Sequence, residues 1–328
     1  MTVAFFSNAS VYIMNIYRSG GLPAFSLVLI LLIWGLLWSC GRQETSAENP
    51  MDRPEVQRIL FHPRTTARTP LPPDAEDIEI EVEPGIGIGC RFYAAGKDRP
   101  TILFFHGNGE IVADYDVIGP EYVRYGLNLL VTDYRGYGWS DGTPSFSSLL
   151  SDCHVLYTEL KKILTEREYR NAIFIMGRSL GSASAIELAR AYNNEISGVI
   201  IESGFAETLP LAETLGADIS SIDITEEQTF NNVGKIKDVT KPTFLLHGQL
   251  DTLIPLWQAE KLHAESGARV KELQIVPGAD HNSLISIGGK YYFMAIQQFV
   301  EKTTGDSDWR NRRKKFQKKA SSAEQANQ

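Results

Sequence analysis

Along residues 77–304 the apolar positions fall into two regimes. Asp77-Ile-Glu-Ile-Glu-Val-Glu83 alternates strictly, the period of a strand with one wet face, and Ile86–Tyr93 follows Pro84-Gly85 as its expected hairpin partner. Beyond it, short runs that are apolar at every position recur: Thr101–Phe105, Leu127–Thr132, Ala172–Met176, Gly198–Ile201, Thr243–Leu246 and Glu272–Val276. Between them the spacing predicts helices over Ser147–Thr165, Ser182–Tyr192, Trp257–Glu265 and Ser283–Glu301. A run with no polar face needs cover on both sides, so the pattern implies an α/β fold: a mostly parallel twisted sheet between two helix layers, entered through an antiparallel hairpin. One interval breaks the rhythm. Phe205–Asn232 is acidic with scattered Leu and Ile after a strand end, and it reads either as a decorated crossover or as a small lid over a pocket.

The junction of one run with a helix carries candidate chemistry. In Gly177-Arg-Ser-Leu-Gly181 a buried strand turns directly into a helix, a corner that exposes the Ser179 hydroxyl and needs glycine on either side for clearance. A serine hydroxyl needs a base to take its proton, and the base needs a carboxylate to hold its tautomer. Asp251, after the run Thr243–Leu246, and His281, after the last run, follow in the order Ser, Asp, His, each beyond a strand end. Asp280 is the rival carboxylate, although neighbours on a loop seldom face each other. The backbone N–H groups of Leu180 and of Asn108, in Phe105-His-Gly-Asn-Gly109, are the expected oxyanion donors. His106 and His247 precede glycines in strand-to-loop turns and read as structural. Arg178 reads either as an acidic-substrate contact or as a salt-bridged side chain. Phe205 and the leucines after it read as packing or as an acyl wall.

Together, LFFHGNGE, DYRGYGWSDG, GRSLGS, HGQLDTLIP and PGADH resemble the α/β-hydrolase superfamily, especially its monoglyceride-lipase-like and serine-aminopeptidase-like branch and the protein depalmitoylases. The resemblance implies the α/β-hydrolase fold, with Ser179 as nucleophile, His281 as general base and acid and Asp251 as the orienting carboxylate, and it makes Asp133–Gly138 a structural loop. The expected activity is ester hydrolysis through an acyl-enzyme, with a thioesterase, a peptidase or a non-catalytic envelope binding protein as alternatives. No dinucleotide or phosphate-loop pattern occurs, so neither a cofactor nor a metal is expected.

Charge and the termini add an address. A formal charge of -8 argues against nucleic acid as partner. The basic run Arg310–Lys319 lies in a tail, residues 305–328, that is too polar to fold and reads as a solvated extension or as a contact for anionic lipid. Residues 1–39, whether the natural start is Met1 or Met14, hold the apolar stretch Leu22–Trp38. Leu37-Trp-Ser-Cys40 resembles the lipobox of bacterial lipoproteins, which implies a signal peptide and a lipidated Cys40; a single-span anchor and a buried core helix are the alternatives. Gly41, where an Asp would favour inner-membrane retention, implies an outer-membrane site in a double-membrane host. Residues 40–76, polar and punctuated by proline, read as a tether. Cys90 and Cys153 read as small core residues, with a disulfide between them open. Labelled palmitate is expected to enter the protein through Cys40; equal incorporation in a Cys40→Ala variant would sink the lipidation.

Overall fold

The computed structural model describes residues 49–217 and 224–305. The anchor, Cys40 and the tail beyond residue 305 lie outside the described residues, and so does the centre of the Phe205–Asn232 interval. Among the described residues no helix is long and apolar enough to cross a membrane.

The chain enters through a 3-10 turn, Pro50–Asp52, and helix α1, Pro54–Leu60, each opened by a proline whose missing N–H costs nothing at a helix start. The antiparallel hairpin follows as β1, Ala75–Glu83, and β2, Ile86–Tyr93, with Ile80 facing Ile88 across the pair. In β1 the alternation sorts as expected: Ile80 and Val82 are buried, while Glu79, Glu81 and Glu83 are exposed. Next come β3 (Thr101–Phe105), α2 (Gly119–Arg124), β4 (Asn128–Thr132), α3 (Phe146–Glu166), β5 (Ile173–Arg178), α4 (Gly181–Ala191) and β6 (Gly198–Glu202). Then α5 (Thr208–Thr214), α6 (Asn232–Lys237), β7 (Thr243–Gly248), α7 (Leu256–Glu265), β8 (Lys271–Val276), α8 (Leu284–Gly288) and α9 (Lys290–Thr304) complete it.

The eight strands form one sheet in the order β1-β2-β4-β3-β5-β6-β7-β8. Both pairings of β2 are antiparallel and all the others are parallel. Why the central runs are apolar throughout is visible residue by residue. Leu103, Phe105, Ile175, Val199 and Leu245 enter one core with Leu160 of α3, Ile186 of α4 and Leu262 of α7. Their alternates Ile102, Phe104, Phe174, Met176 and Phe244 enter a second core with Tyr122 of α2 and Ile296 and Phe299 of α9. Cys90 and Cys153 are free thiols in the first core, so no disulfide joins them.

Two expectations change. The single helix expected over Ser283–Glu301 is two, α8 and α9, because the chain turns at Gly289 with φ 50° and ψ -133°, a conformation side chains disfavour. The tether expected over residues 40–76 is, from Asn49 on, part of the folded unit. The pattern there is too sparse to signal burial, yet Met51, Leu60 and Phe61 each retain 5% exposure or less. Thr66 N–H donates to Gly138 O at 2.8 Å and Gly138 N–H to Arg64 O at 2.8 Å, so this N-terminal strap is laced onto the Asp133–Gly138 loop. Burying three large apolar side chains at about 1.5–3 kcal/mol each makes the strap worth several kcal/mol. A chain beginning at Asp77 is therefore expected to unfold at clearly lower denaturant than one beginning at Asn49; coincident unfolding curves would refute the packing.

Candidate active site

The corner between β5 and α4 has the strain that its sequence demands. Ser179 sits at φ 51°, a left-handed conformation costing a non-glycine residue of order 1 kcal/mol. Neither flanking glycine has room for a side chain: a Cβ on Gly177 would lie 2.2 Å from Gly181 O, and one on Gly181 would lie 2.1 Å from Phe105 O. The corner is held by Ser179 N–H donating to Glu202 O at 2.9 Å and by the Ser182 hydroxyl donating to Ser179 O at 2.6 Å. From β5 the chain thus delivers a buried hydroxyl directly onto the N-terminus of α4.

Ser179, Asp251 and His281 converge from loops 102 and 30 residues apart. His281 Nε2 lies 3.0 Å from Ser179 Oγ, and His281 Nδ1 lies 2.8 Å from Asp251 Oδ2. Asp251 Oδ1 accepts the N–H groups of Leu253 at 3.1 Å and Ile254 at 2.8 Å, which aims the other oxygen at the imidazole. Asp280 is turned away. Its Oδ1 accepts from the Ser283 hydroxyl at 2.6 Å and from Asn282 N–H at 3.0 Å, and these bonds hold its carboxyl below the usual range. His247 is buried beneath Asp251 and directs Nε2–H to Ile254 O at 2.7 Å; burial depresses its basicity, so it stays a neutral support.

The N–H groups of Leu180 and Asn108 donate to no acceptor among the described residues, and both residues line the cavity beside Ser179. The Asn108 side chain faces the strap instead. Its Nδ2 donates to Leu60 O at 2.9 Å, and its Oδ1 accepts from His62 N–H at 2.9 Å and from the Tyr137 hydroxyl at 2.7 Å. His106, fully buried below this loop, lies 2.8 Å from Gly107 O and 3.1 Å from Asp133 Oδ1. Asp133 also accepts Val112 N–H at 2.9 Å, and neither residue lines the cavity.

Arg178 is salt-bridged. Its guanidinium pairs with Glu110, approaches Glu202 at 3.3 Å, and donates to His281 O at 2.8 Å and Asn282 Oδ1 at 3.0 Å. Burial opposes its charge, but the two carboxylates outweigh burial and raise its basicity. Burial likewise pushes Glu110 up, yet Arg178, with the Gly107 N–H at 2.7 Å and the Tyr115 hydroxyl at 2.8 Å, brings it net below the usual range. For Glu202 burial wins, and its carboxyl rises despite Arg178 and the Tyr292 hydroxyl at 2.6 Å.

The cavity measures about 410 Å³. Phe205, Leu211, Leu215 and Phe230 form its apolar stretch, so Phe205 both packs, 5.7 Å from Phe230 between ring centroids, and lines the cavity. The described part of the Phe205–Asn232 interval is one wall. It is pinned at its root by Gln258 Oε1, which accepts the N–H groups of Ala206 and Glu207 at 2.8 Å each. Leu60 and His62 of the strap complete the wall opposite in chain terms. Sequence reasoning missed them, and the proline-rich composition around them gave no periodic signal. Among the described residues no cluster of three or more His, Cys, Asp or Glu side chains could hold a metal ion.

Comparison with known proteins places this arrangement. A family model described as serine aminopeptidase, S33, matches residues 96–216, and one described as prolyl oligopeptidase family matches residues 159–307. Alpha/beta hydrolase domain-containing protein 17B of Xenopus tropicalis is 30% identical over 66% of this chain and 72% of its own length. Alpha/beta hydrolase domain-containing protein WAV2 of Arabidopsis thaliana is 27% identical over 74% of this chain and 82% of its own. Among solved structures, a Pyrococcus furiosus esterase shares the fold with a TM-score of 0.61 at 19% identity, covering 74% of this chain and 99% of that one. The chain belongs to the α/β-hydrolase superfamily.

Removing Arg178 strands the buried Glu202 and the half-buried Glu110, and breaking a buried ion pair costs about 3–5 kcal/mol. Arg178→Met is therefore expected to lower the denaturation midpoint sharply, and Glu110→Gln in the same chain to restore part of the loss; additive losses in the double variant would disprove the coupling.

Proposed function

We propose that this protein is a serine hydrolase that cleaves carboxylic esters through an acyl-enzyme on Ser179, working while tethered to a membrane by its N-terminus. The observation that carries the reading is His281 bridging Ser179 and Asp251 at 3.0 and 2.8 Å in the wall of a partly apolar cavity. His281 Nε2 takes the hydroxyl proton as Oγ attacks the ester carbonyl; Asp251 supports the imidazolium that forms. The N–H groups of Leu180 and Asn108 hold the oxyanion, at the N-terminus of α4 where the helix dipole favours negative charge. Imidazolium then donates its proton to the leaving alkoxide. Water, deprotonated by His281 in turn, releases the acid and frees Ser179.

The apolar wall of Phe205, Leu211, Leu215 and Phe230 suits an acyl chain, and the fold neighbour's name, an esterase, points the same way. An aminopeptidase would need an anion for the substrate ammonium. Among the described residues the carboxylate lining the cavity is Glu110, which already holds Arg178, Gly107 N–H and the Tyr115 hydroxyl. A thioester would fit the same machinery, because the leaving atom meets only His281. Tethering through Cys40 to a cell-envelope membrane, the outer one in a double-membrane host, remains part of this proposal and rests on the sequence alone.

Wild-type protein is expected to react with a fluorophosphonate at Ser179 and to hydrolyse nitrophenyl esters, and Ser179→Ala is expected to lose about four orders of magnitude or more in kcat. Absence of both labelling and turnover in the wild type would overturn the reading.

A further inference from the structure

The polar side chains around the cavity differ in what they have left to offer a ligand. Glu110 already has three partners, and the fully buried Thr208 hydroxyl lies 2.9 Å from the Thr229 hydroxyl. Asn108 gives both side-chain ends to the strap and to Tyr137. His62 and Asn282 are different, because each keeps a donor.

For His62 the proton's position follows from its neighbour. Asn108 cannot be turned over: the reverse orientation would put its amide N–H₂ against His62 N–H and its oxygen against Leu60 O. The group that lies 2.9 Å from His62 Nδ1 is therefore Asn108 Nδ2, a donor. Nδ1 must accept, so the neutral ring carries its proton on Nε2, and that N–H donates to nothing among the described residues. Asn282 obeys the same logic, since Arg178 can only donate and fixes Oδ1, leaving Nδ2 uncommitted. Among the described residues, His62 and Asn282 thus each present a donor to the cavity.

We propose that His62 is a specificity-determining residue, whose Nε2–H donates to an oxygen acceptor carried on the leaving group of the ester. This rests on the serine-hydrolase reading above. The leaving oxygen must reach His281 to receive its proton, so the leaving group lies toward the His281–Asn282 loop, in the cavity that His62 also lines. The acyl chain takes the apolar wall, whose Phe and Leu side chains make no hydrogen bonds. Esters of alcohols bearing an additional acceptor oxygen are thereby preferred over alkyl esters of the same shape.

An isosteric pair tests this: the 2-methoxyethyl and n-butyl esters of one fatty acid, which differ by an ether oxygen in place of a methylene. The readout is the ratio of their kcat/KM values in the full-length wild type, in His62→Asn and in His62→Gln. Intrinsic differences between the two alcohols cancel when ratios are compared between variants. The shorter amide in His62→Asn can still meet Asn108 but withdraws the outer donor, so the ratio is expected to fall about three- to tenfold, the worth of one neutral hydrogen bond. With His62→Gln a donor near the Nε2 position is retained, and the ratio is expected to hold. A His62→Asn ratio within twofold of wild type overturns the proposal, and so does an equal loss on both esters, which would make His62 a support for Asn108 alone. Wild-type protein that cleaves neither ester overturns the hydrolase reading itself, an outcome distinct from an unchanged ratio.

Discussion

A single buried cation ties the loops of this site together. The Arg178 guanidinium stands between Glu110 and Glu202 and reaches the carbonyl of His281, so two loops and the end of β6, which sequence separates widely, are fixed to one planar group. Its fork geometry matters. Five N–H donors in a rigid plane can satisfy a carboxylate on either side and a backbone carbonyl at once, whereas an ammonium would hold them only as a point charge. Two carboxylates share that one cation, and the imbalance falls on Glu202, the more deeply buried, where Tyr292 and behind it Tyr122 at 3.1 Å continue the network into the second core. Position between the elbow glycines therefore serves architecture: although Arg178 borders the cavity, its guanidinium is taken up by Glu110, Glu202, His281 O and Asn282, and it ties the Gly107–Glu110 turn to the histidine loop.

Much of this was legible beforehand, for definable reasons. Strands buried on both faces are mostly apolar, so β3 to β7 announced themselves as runs, with polar residues at their ends, and strict alternation marked β1. Ser179 was legible because the corner it occupies admits only glycine at 177 and 181, a steric demand that writes itself into sequence. Asp251 and His281 were legible from order and from their places beyond strand ends. What stayed hidden depends on partners remote in sequence. Nothing local says that Leu60 and Phe61 are buried, because they bury against loops that come later, and prolines there suit a packed 3-10 turn as well as a tether. Arg178 offered two readings because its partners Glu110, on the loop after β3, and Glu202, at the end of β6, are remote in sequence. The break at Gly289 was missed because the apolar spacing carries on across it.

The electrostatics and the strap are parts of one device. Asn108 contributes its N–H to the cavity while its side chain is held by Leu60, His62 and Tyr137, and one residue earlier Gly107 is held by Glu110. The oxyanion loop is thus gripped from the N-terminal side by neutral hydrogen bonds and from the sheet side by an ion pair. A donor that must meet a transient negative charge without reorganising gains most from being fixed in advance. The first grip comes from the strap and Tyr137, and the second from Glu110 of the loop itself, anchored by Arg178.

Chain order gives the strap one more meaning. A ribosome emits Leu60 and His62 first among the residues of the cavity, Ser179 midway, and His281 and Asn282 close to the end of the domain. Because first and last contributors meet in the same cavity, no partly synthesised chain can hold the complete centre. A nascent chain accordingly lacks the Ser179–His281–Asp251 arrangement, which forms in one step when the final strand and its loop join the sheet.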